Sequence, residues 1–224
     1  MALLRDAYRR DLQNLHDQVL ILGSMVEKAV DNAIQSLVRL DFDLARTVVE
    51  GDKEVNRKRF KIEEEAIRLI ATQQPVASDL RSIIAILNII VDLERIGDYA
   101  VGAARTTLSH GEQPLLKPLI DIPRMSEIAR DMLRRSLDAL VVRDVDRARA
   151  IVVEDDVVDA LYNQVYRELL SYMLADPLTI DRATRLLWVA HNLERIADRV
   201  TNICERIIYE STGQLFETNS PSAV

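Results

Sequence analysis

Asp92-Leu-Glu-Arg-Ile-Gly-Asp98 and Asn192-Leu-Glu-Arg-Ile-Ala-Asp198 are near-copies of one another, a hundred residues apart in a chain of 224. Each sets a Glu and an Asp four residues apart, Glu94 with Asp98 and Glu194 with Asp198. On a helix these side chains lie one above the other, and like charges so placed repel by a few tenths of a kcal/mol. A sequence that does this twice calls for something to neutralise the pairs, and a bound cation is the sharpest candidate. Arg95 and Arg195, three residues before each Asp, allow a plainer alternative in surface ion pairs. Glu94 and Glu194 have no Lys or Arg three or four residues away.

The duplication spreads outward from these segments. A shift of 103 aligns Asp41 with Asp144, Asp43 with Asp146, and Ala45-Arg46 with Ala148-Arg149. The same shift sets Asp52-x-x-Val55-Asn56 on Asp155-x-x-Val158-Asp159, and a shift of 102 sets Pro75 and Asp79 on Pro177 and Asp181. Leu12, Leu15, Val19, Leu22, Val26, Ala29, Ala33 and Leu37 follow the three-and-four spacing of a buried helical stripe. Asp41 can cap the helix that follows it, and Pro75 sits where a helix can begin without its amide hydrogen. Gly111, Pro114, Pro118 and Pro123 mark a break between the halves. The expected helices are 5–39, 43–73, 76–108, 121–142, 144–174 and 178–211. The expected fold is all-α: two tandem antiparallel three-helix bundles related by an internal repeat. The units are 1–110 and 121–212, with a disordered tail at 213–224.

Composition agrees. The chain is 48% hydrophobic and 29% charged, with only 4% aromatic residues, six Gly and six Pro, which favours long helices over sheets. A net charge of −7 speaks against a nucleic-acid binder and gives no help toward an anionic membrane. One cysteine, Cys204, forms no internal disulfide and suits a reducing compartment. The N-terminal ten residues carry charges where a signal peptide is apolar, and the apolar run Ile83 to Val91 is too short to span a bilayer. A cytoplasmic protein is expected.

Helix arithmetic then joins the acidic pairs. Asp52/Asn56 lies about as far before Pro75 as Glu94/Asp98 lies after it, roughly 30 Å from the turn at 1.5 Å per residue. Asp155/Asp159 and Glu194/Asp198 are matched in the same way about Pro177. Two hairpins thus bring four oxygen-bearing side chains level. Such hard ligands suit Mg²⁺, Mn²⁺ or iron better than a soft-ligand zinc site. Asn202, one turn beyond Asp198, can add an amide oxygen to the second site; Gly102 stands in its place in the first. His191, three residues before Glu194, is a further candidate ligand, replaced by Val91 in the first repeat.

The remaining residues suggest no chemistry. His16 and His110 are expected at the surface, and Cys204 in helix packing. Trp188, Tyr162, Tyr166 and Tyr172 are expected between helices. Arg57-Lys58-Arg59 and Lys61, followed by Glu63-Glu64-Glu65, read as a self-neutralised solvated face. Neither a glycine-rich phosphate loop nor a nucleophile elbow occurs, and the Glu-x-x-His pair of di-iron carboxylate bundles is absent. No catalytic residues are assigned.

The chain resembles the PhoU family of phosphate-transport accessory and regulatory proteins. The resemblance rests on Glu50-Gly-Asp-Lys-Glu-Val-Asn56, Gln74-Pro-Val-Ala-Ser-Asp-Leu-Arg81, Leu93 to Asp98, and Leu193-Glu-Arg-Ile-Ala-Asp-Arg-x-x-Asn-Ile-Cys-Glu205. It implies metal clusters at Glu94/Asp98 and Glu194/Asp198, completed by Asp52/Asn56 and Asp155/Asp159, with cations such as Fe, Mn, Mg or Zn. It also implies a non-enzymatic regulator, a homodimer that reaches the membrane only through its partners. Those partners are the ATPase subunit of a phosphate ABC transporter and a sensor histidine kinase, and the effect is negative regulation of phosphate signalling. Two alternatives stay open: a metal-dependent phosphoester hydrolase and a metal-free helical adaptor.

Overall fold

A computed structural model describes residues 2–111 and 113–214. Among these it contains α1 (Ala2–Arg39), α2 (Phe42–Gln73), α3 (Ser78–His110), α4 (Asp121–Val142), α5 (Val145–Val153), α6 (Asp155–Ala175) and α7 (Ile180–Thr212), with a 3₁₀ turn at Pro177–Thr179 before the last. Helices α1–α3 form one antiparallel bundle; α4, the α5–α6 pair and α7 form its copy.

The α1 stripe is buried as its spacing requires, with Leu15, Val19, Leu22, Val26, Ala33 and Leu37 at 2% exposure or less. Each large aliphatic side chain so buried contributes about 1.5–3 kcal/mol. The expected cap at Asp41 forms, and its repeat counterpart Asp144 caps α5 in the same way. Asp41 Oδ1 accepts the Leu44 N–H at 2.9 Å, and Asp144 Oδ1 accepts the Arg147 N–H at 2.9 Å. Gly213 ends α7 in the left-handed region, at φ 73°, donating its N–H to the Tyr209 carbonyl at 2.8 Å.

The structure departs from the expected boundaries in two places. The single helix expected over 144–174 is interrupted at Glu154, where the ladder tightens to i→i+3 bonds (Glu154 N–H to Ile151 O and Val157 N–H to Glu154 O, both 3.0 Å). Arg135 of α4 grips the Glu154 carboxylate with both terminal nitrogens and holds the break. Pro75 lies in a turn instead of opening α3, because Gln74 and Ala77 take positive φ values of 47° and 50°. Of the expected tail, residues 215–224 lie outside the described residues.

The bundles lie side by side. Helix α3 runs antiparallel to α7: Asp92 meets Arg199 at 3.5 Å, whereas Gly102 lies against Asn192. A Cβ at Gly102 would stand 2.8 Å from Asn192 Nδ2, so the missing side chain sets this approach. Helix α1 crosses α4 in the same sense: Arg130 reaches Asp31 at 2.5 Å and Glu27 at 3.5 Å, whereas Leu137 lies against Gly23.

Burial corrects several expectations. His16 and His110 are inside, at 9% and 6% exposure, because α7 and the α3–α4 connection cover them. His16 Nε2 lies 4.0 Å from Glu210, and His110 Nε2 lies 3.4 Å from the Pro114 carbonyl. Trp188 and Tyr166 are outside, at 59% and 45%, on the outer face of the α6–α7 hairpin. Cys204 is buried. The basic run does neutralise itself, through Arg57–Glu54 at 2.7 Å and Arg59–Glu63 at 3.0 Å. Among the described residues no helix is long and apolar enough to cross a membrane.

Candidate functional site

In the first hairpin, α2 supplies Asp52 and Asn56, and α3 supplies Glu94 and Asp98. Asn56 donates its side-chain amide to Asp52 Oδ2 at 2.8 Å; Asp52 Oδ1 is buried without a hydrogen-bond partner. Burial raises the Asp52 pKa, Asp98 raises it further, and Arg105 and the Asn56 bond act against the rise. Glu94 is raised by burial, then by Asp98, with a smaller push from Asp52. Arg95 lies 3.4 Å from Asp98 and 3.8 Å from Glu94, so the ion-pair alternative is partly realised.

The second hairpin carries the same arrangement with one more charge. Asp155 and Asp159 come from α6, Glu194 and Asp198 from α7. Asp155 is pushed up to about 7, first by burial and then by Asp198, Asp159 and Glu194. Asp159 and Glu194 are raised by burial and then by Asp198. Asp155 Oδ1 and Glu194 Oε2 are buried without hydrogen-bond partners. Arg195 takes Asp198 at 2.7 Å, and His191 Nδ1 stands 3.4 Å from Glu194. The clusters are unequal because Asn56 brings a donor where Asp159 brings a charge.

Both hairpins therefore place their acidic pairs in mutual electrostatic contact, which the helix arithmetic permitted without showing. The donor chemistry fits a hard cation: Asp52 Oδ1 in the first bundle, and Asp155 Oδ1 and Glu194 Oε2 in the second, are buried oxygens that make no hydrogen bond. Among the described residues no three acidic, His or Cys side chains converge on one ion-binding point, so the carboxylates sit at electrostatic range of one another. Asn202 does not join the second cluster. Its amide is engaged with Asp92 Oδ1 of α3 at 3.4 Å, because the seam between bundles faces it.

Asp92 itself was legible only as part of the repeated segment. It is 9% exposed, with its pKa raised by burial and restrained by Asn202 and Arg199. The signal was available: Asp92 aligns with Asn192 and Gly102 with Asn202, so the contacts 92–202 and 192–102 are reciprocal across the two-fold relation of the bundles.

Two copies of a three-helix bundle, joined along antiparallel long helices and each carrying a carboxylate hairpin, define a class of duplicated all-helical protein. The profile described as the PhoU domain matches residues 19–107 and 122–207. The chain belongs to the PhoU family. The phosphate-specific transport system accessory protein PhoU of Escherichia coli (strain K12) is 40% identical over 209 residues, covering 93% of this chain and 87% of that protein. The PhoU homolog of Clostridium acetobutylicum is 38% identical over 216 residues, 96% and 99% of the two chains. The crystal structure of PhoU from Pseudomonas aeruginosa superposes with a TM-score of 0.88 at 36% identity, covering 92% of this chain and 100% of that one. The phosphate transport system regulatory protein PhoU from Streptococcus pneumoniae gives a TM-score of 0.87 at 30% identity, covering 94% and 99%.

Proposed function

We propose that this protein is a regulatory accessory component of a phosphate-specific transport system, acting on the cytoplasmic side as a homodimer. In this reading it contacts the ATPase subunit of a phosphate ABC transporter and a sensor histidine kinase, and it keeps the phosphate-starvation response off when phosphate is plentiful. It catalyses no reaction. The observation that carries the reading is family membership along nearly the whole chain, with relatives named as accessory proteins of phosphate-specific transport.

The carboxylate hairpins are the proposed metal sites. Asp52, Asn56, Glu94 and Asp98 would hold one cation site, and Asp155, Asp159, Glu194 and Asp198 the other. A divalent or iron-type cation bound there supplies positive charge between helices that otherwise repel. The units 1–110 and 121–212 are proposed as two related halves with unequal affinity.

The test is deletion of the gene with a phosphate-regulated reporter, together with co-precipitation of tagged protein with the transporter ATPase and the kinase. Derepression at high phosphate, with recovery of both partners, is expected; an unchanged reporter with neither partner recovered sinks the proposal. A metal-free adaptor is the second reading, favoured by the non-convergence of the acidic side chains. Elemental analysis of gently purified protein separates the two.

A further inference from the structure

The outer face of the α6–α7 hairpin carries a small aromatic recess that the first repeat lacks. Tyr162, Thr184, Leu187, Trp188 and His191 line a cavity of about 230 Å³. The Tyr162 and His191 rings are 6.1 Å apart between centroids, and Trp188 meets His191 edge-on at 5.9 Å. Glu194 adjoins two of these rings: it lies 3.4 Å from His191 Nδ1 and raises the Tyr162 pKa. Its Oε2, the oxygen that faces His191, is buried and makes no hydrogen bond of good geometry. Ring faces beside an unsatisfied carboxylate attract an organic cation.

The internal repeat indicates which cation. Shifted by 103, Tyr162 falls on Arg59 and Tyr166 on Glu63; shifted by 100, Trp188, His191 and Glu194 fall on Asn88, Val91 and Glu94. In the first bundle the chain supplies its own guanidinium: Arg59 pairs with Glu63 at 3.0 Å and lies close enough to Glu94 to oppose part of the rise in its pKa. In the second bundle that guanidinium is replaced by a ring, and other rings stand around the space. Tyr166 and Leu170, 45% and 40% exposed, continue the face along α6 at one-turn intervals.

We propose that this recess is a docking site for an arginine side chain of a partner protein, presented with an apolar residue one helical turn away that lies on Tyr166 and Leu170. The arginine stands against Glu194 as Arg59 stands near Glu94. This goes beyond the regulatory reading and depends on none of its named partners; it draws on Glu194, also a ligand of the proposed second metal site, so the arginine is tested on metal-free protein. Arginine is favoured over lysine because a planar guanidinium stacks on an aromatic face while its edge meets a carboxylate.

Trp188 is the only tryptophan in the chain, so its fluorescence reports directly on the recess. The probes are N-acetyl-arginine methylamide, its neutral citrulline counterpart, and a blocked helical peptide with leucine one turn from arginine, titrated into EDTA-treated full-length protein. A saturable emission change is expected with the arginine probe. Citrulline should bind about tenfold more weakly, in keeping with loss of a cation–π contact. The peptide should bind about tenfold more tightly than the single residue, as one well-covered apolar side chain allows. Tyr162→Arg, which installs the first repeat's own guanidinium, should abolish the response; Tyr162→Leu, which keeps apolar packing, should weaken it about tenfold. Equal responses to arginine and citrulline, or an undiminished response in Tyr162→Leu, overturn the assignment. So does tetramethylammonium saturating at lower concentration than the peptide, which points to a small free cation. A change of sedimenting mass in Trp188→Ala points instead to a second copy of this chain and overturns it equally.

Discussion

Replacing Asp155 by Asn should make the metal-free protein more stable, and the gain should disappear in acid. The Asp155 carboxyl is raised from 3.8 to about 7 by burial and by neighbouring carboxylates, Asp198 and Glu194 across the hairpin and Asp159 and Asp156 on its own helix. Linkage sets the sign. Above pH 7 the group is ionised in both states, and the folded state bears the full repulsion. As pH falls from 7 toward 3.8, the folded protein takes up a proton that the unfolded chain does not, so wild type gains stability on acidification. Taken at face value, the shift amounts to about 4 kcal/mol at 1.36 kcal/mol per unit. Asp155 is only partly buried, and solvent screening reduces this to about 1–2 kcal/mol. Asn keeps the side-chain volume, removes the charge and offers a donor to Asp198 or Glu194. For a chain of this size, about 1–2 kcal/mol corresponds to a Tm rise of roughly 2–8 °C. The assay is thermal unfolding by circular dichroism after EDTA dialysis, in steps from pH 4 to pH 8. The variant should melt higher at pH 8, and the two curves should approach one another below pH 5. A variant that melts no higher than wild type at pH 8, or a gain that persists unchanged at pH 4, would refute the account of the cluster.

Three further outcomes follow from the same structure. Adding Mn²⁺ to EDTA-treated wild type should raise its Tm as ligand binding to the folded state requires. Glu194→Gln should lose much of that rise, and an equal rise in the variant would remove Glu194 from the ligands. Asp144→Ala deletes the α5 cap, whose bond to the Arg147 N–H is 2.9 Å, and should cost about 1 kcal/mol in urea unfolding. Cys204 has its thiol pushed up to about 12 by burial, so a thiol reagent at pH 8 should label it only as fast as the protein opens; rapid labelling of folded protein would contradict its packing.

The helices, the Asp41 cap and the matched heights of the acidic residues were legible because each depends on local periodicity. The 3.6-residue repeat placed Leu15 to Leu37 inside, Asp41 preceded its helix as a cap does, and equal spacings about Pro75 and Pro177 brought the carboxylates level. The interruption at Glu154 was not legible, since the arginine that grips Glu154, Arg135, lies on another helix. Nor was the burial of His16, whose cover comes from a residue far along the chain, Glu210.

The sequence by itself determined that this chain is a duplicated helical protein with twin carboxylate hairpins, and its motifs led to the PhoU family. Tertiary structure alone decided which polar residues serve the hairpins and which serve the seam, directing Asn202 to Asp92. It also turned Trp188 outward beside Tyr162 and His191. The physical reason is that periodicity specifies which face of a helix is apolar, whereas the neighbour each polar or aromatic side chain meets depends on how separate helices cross.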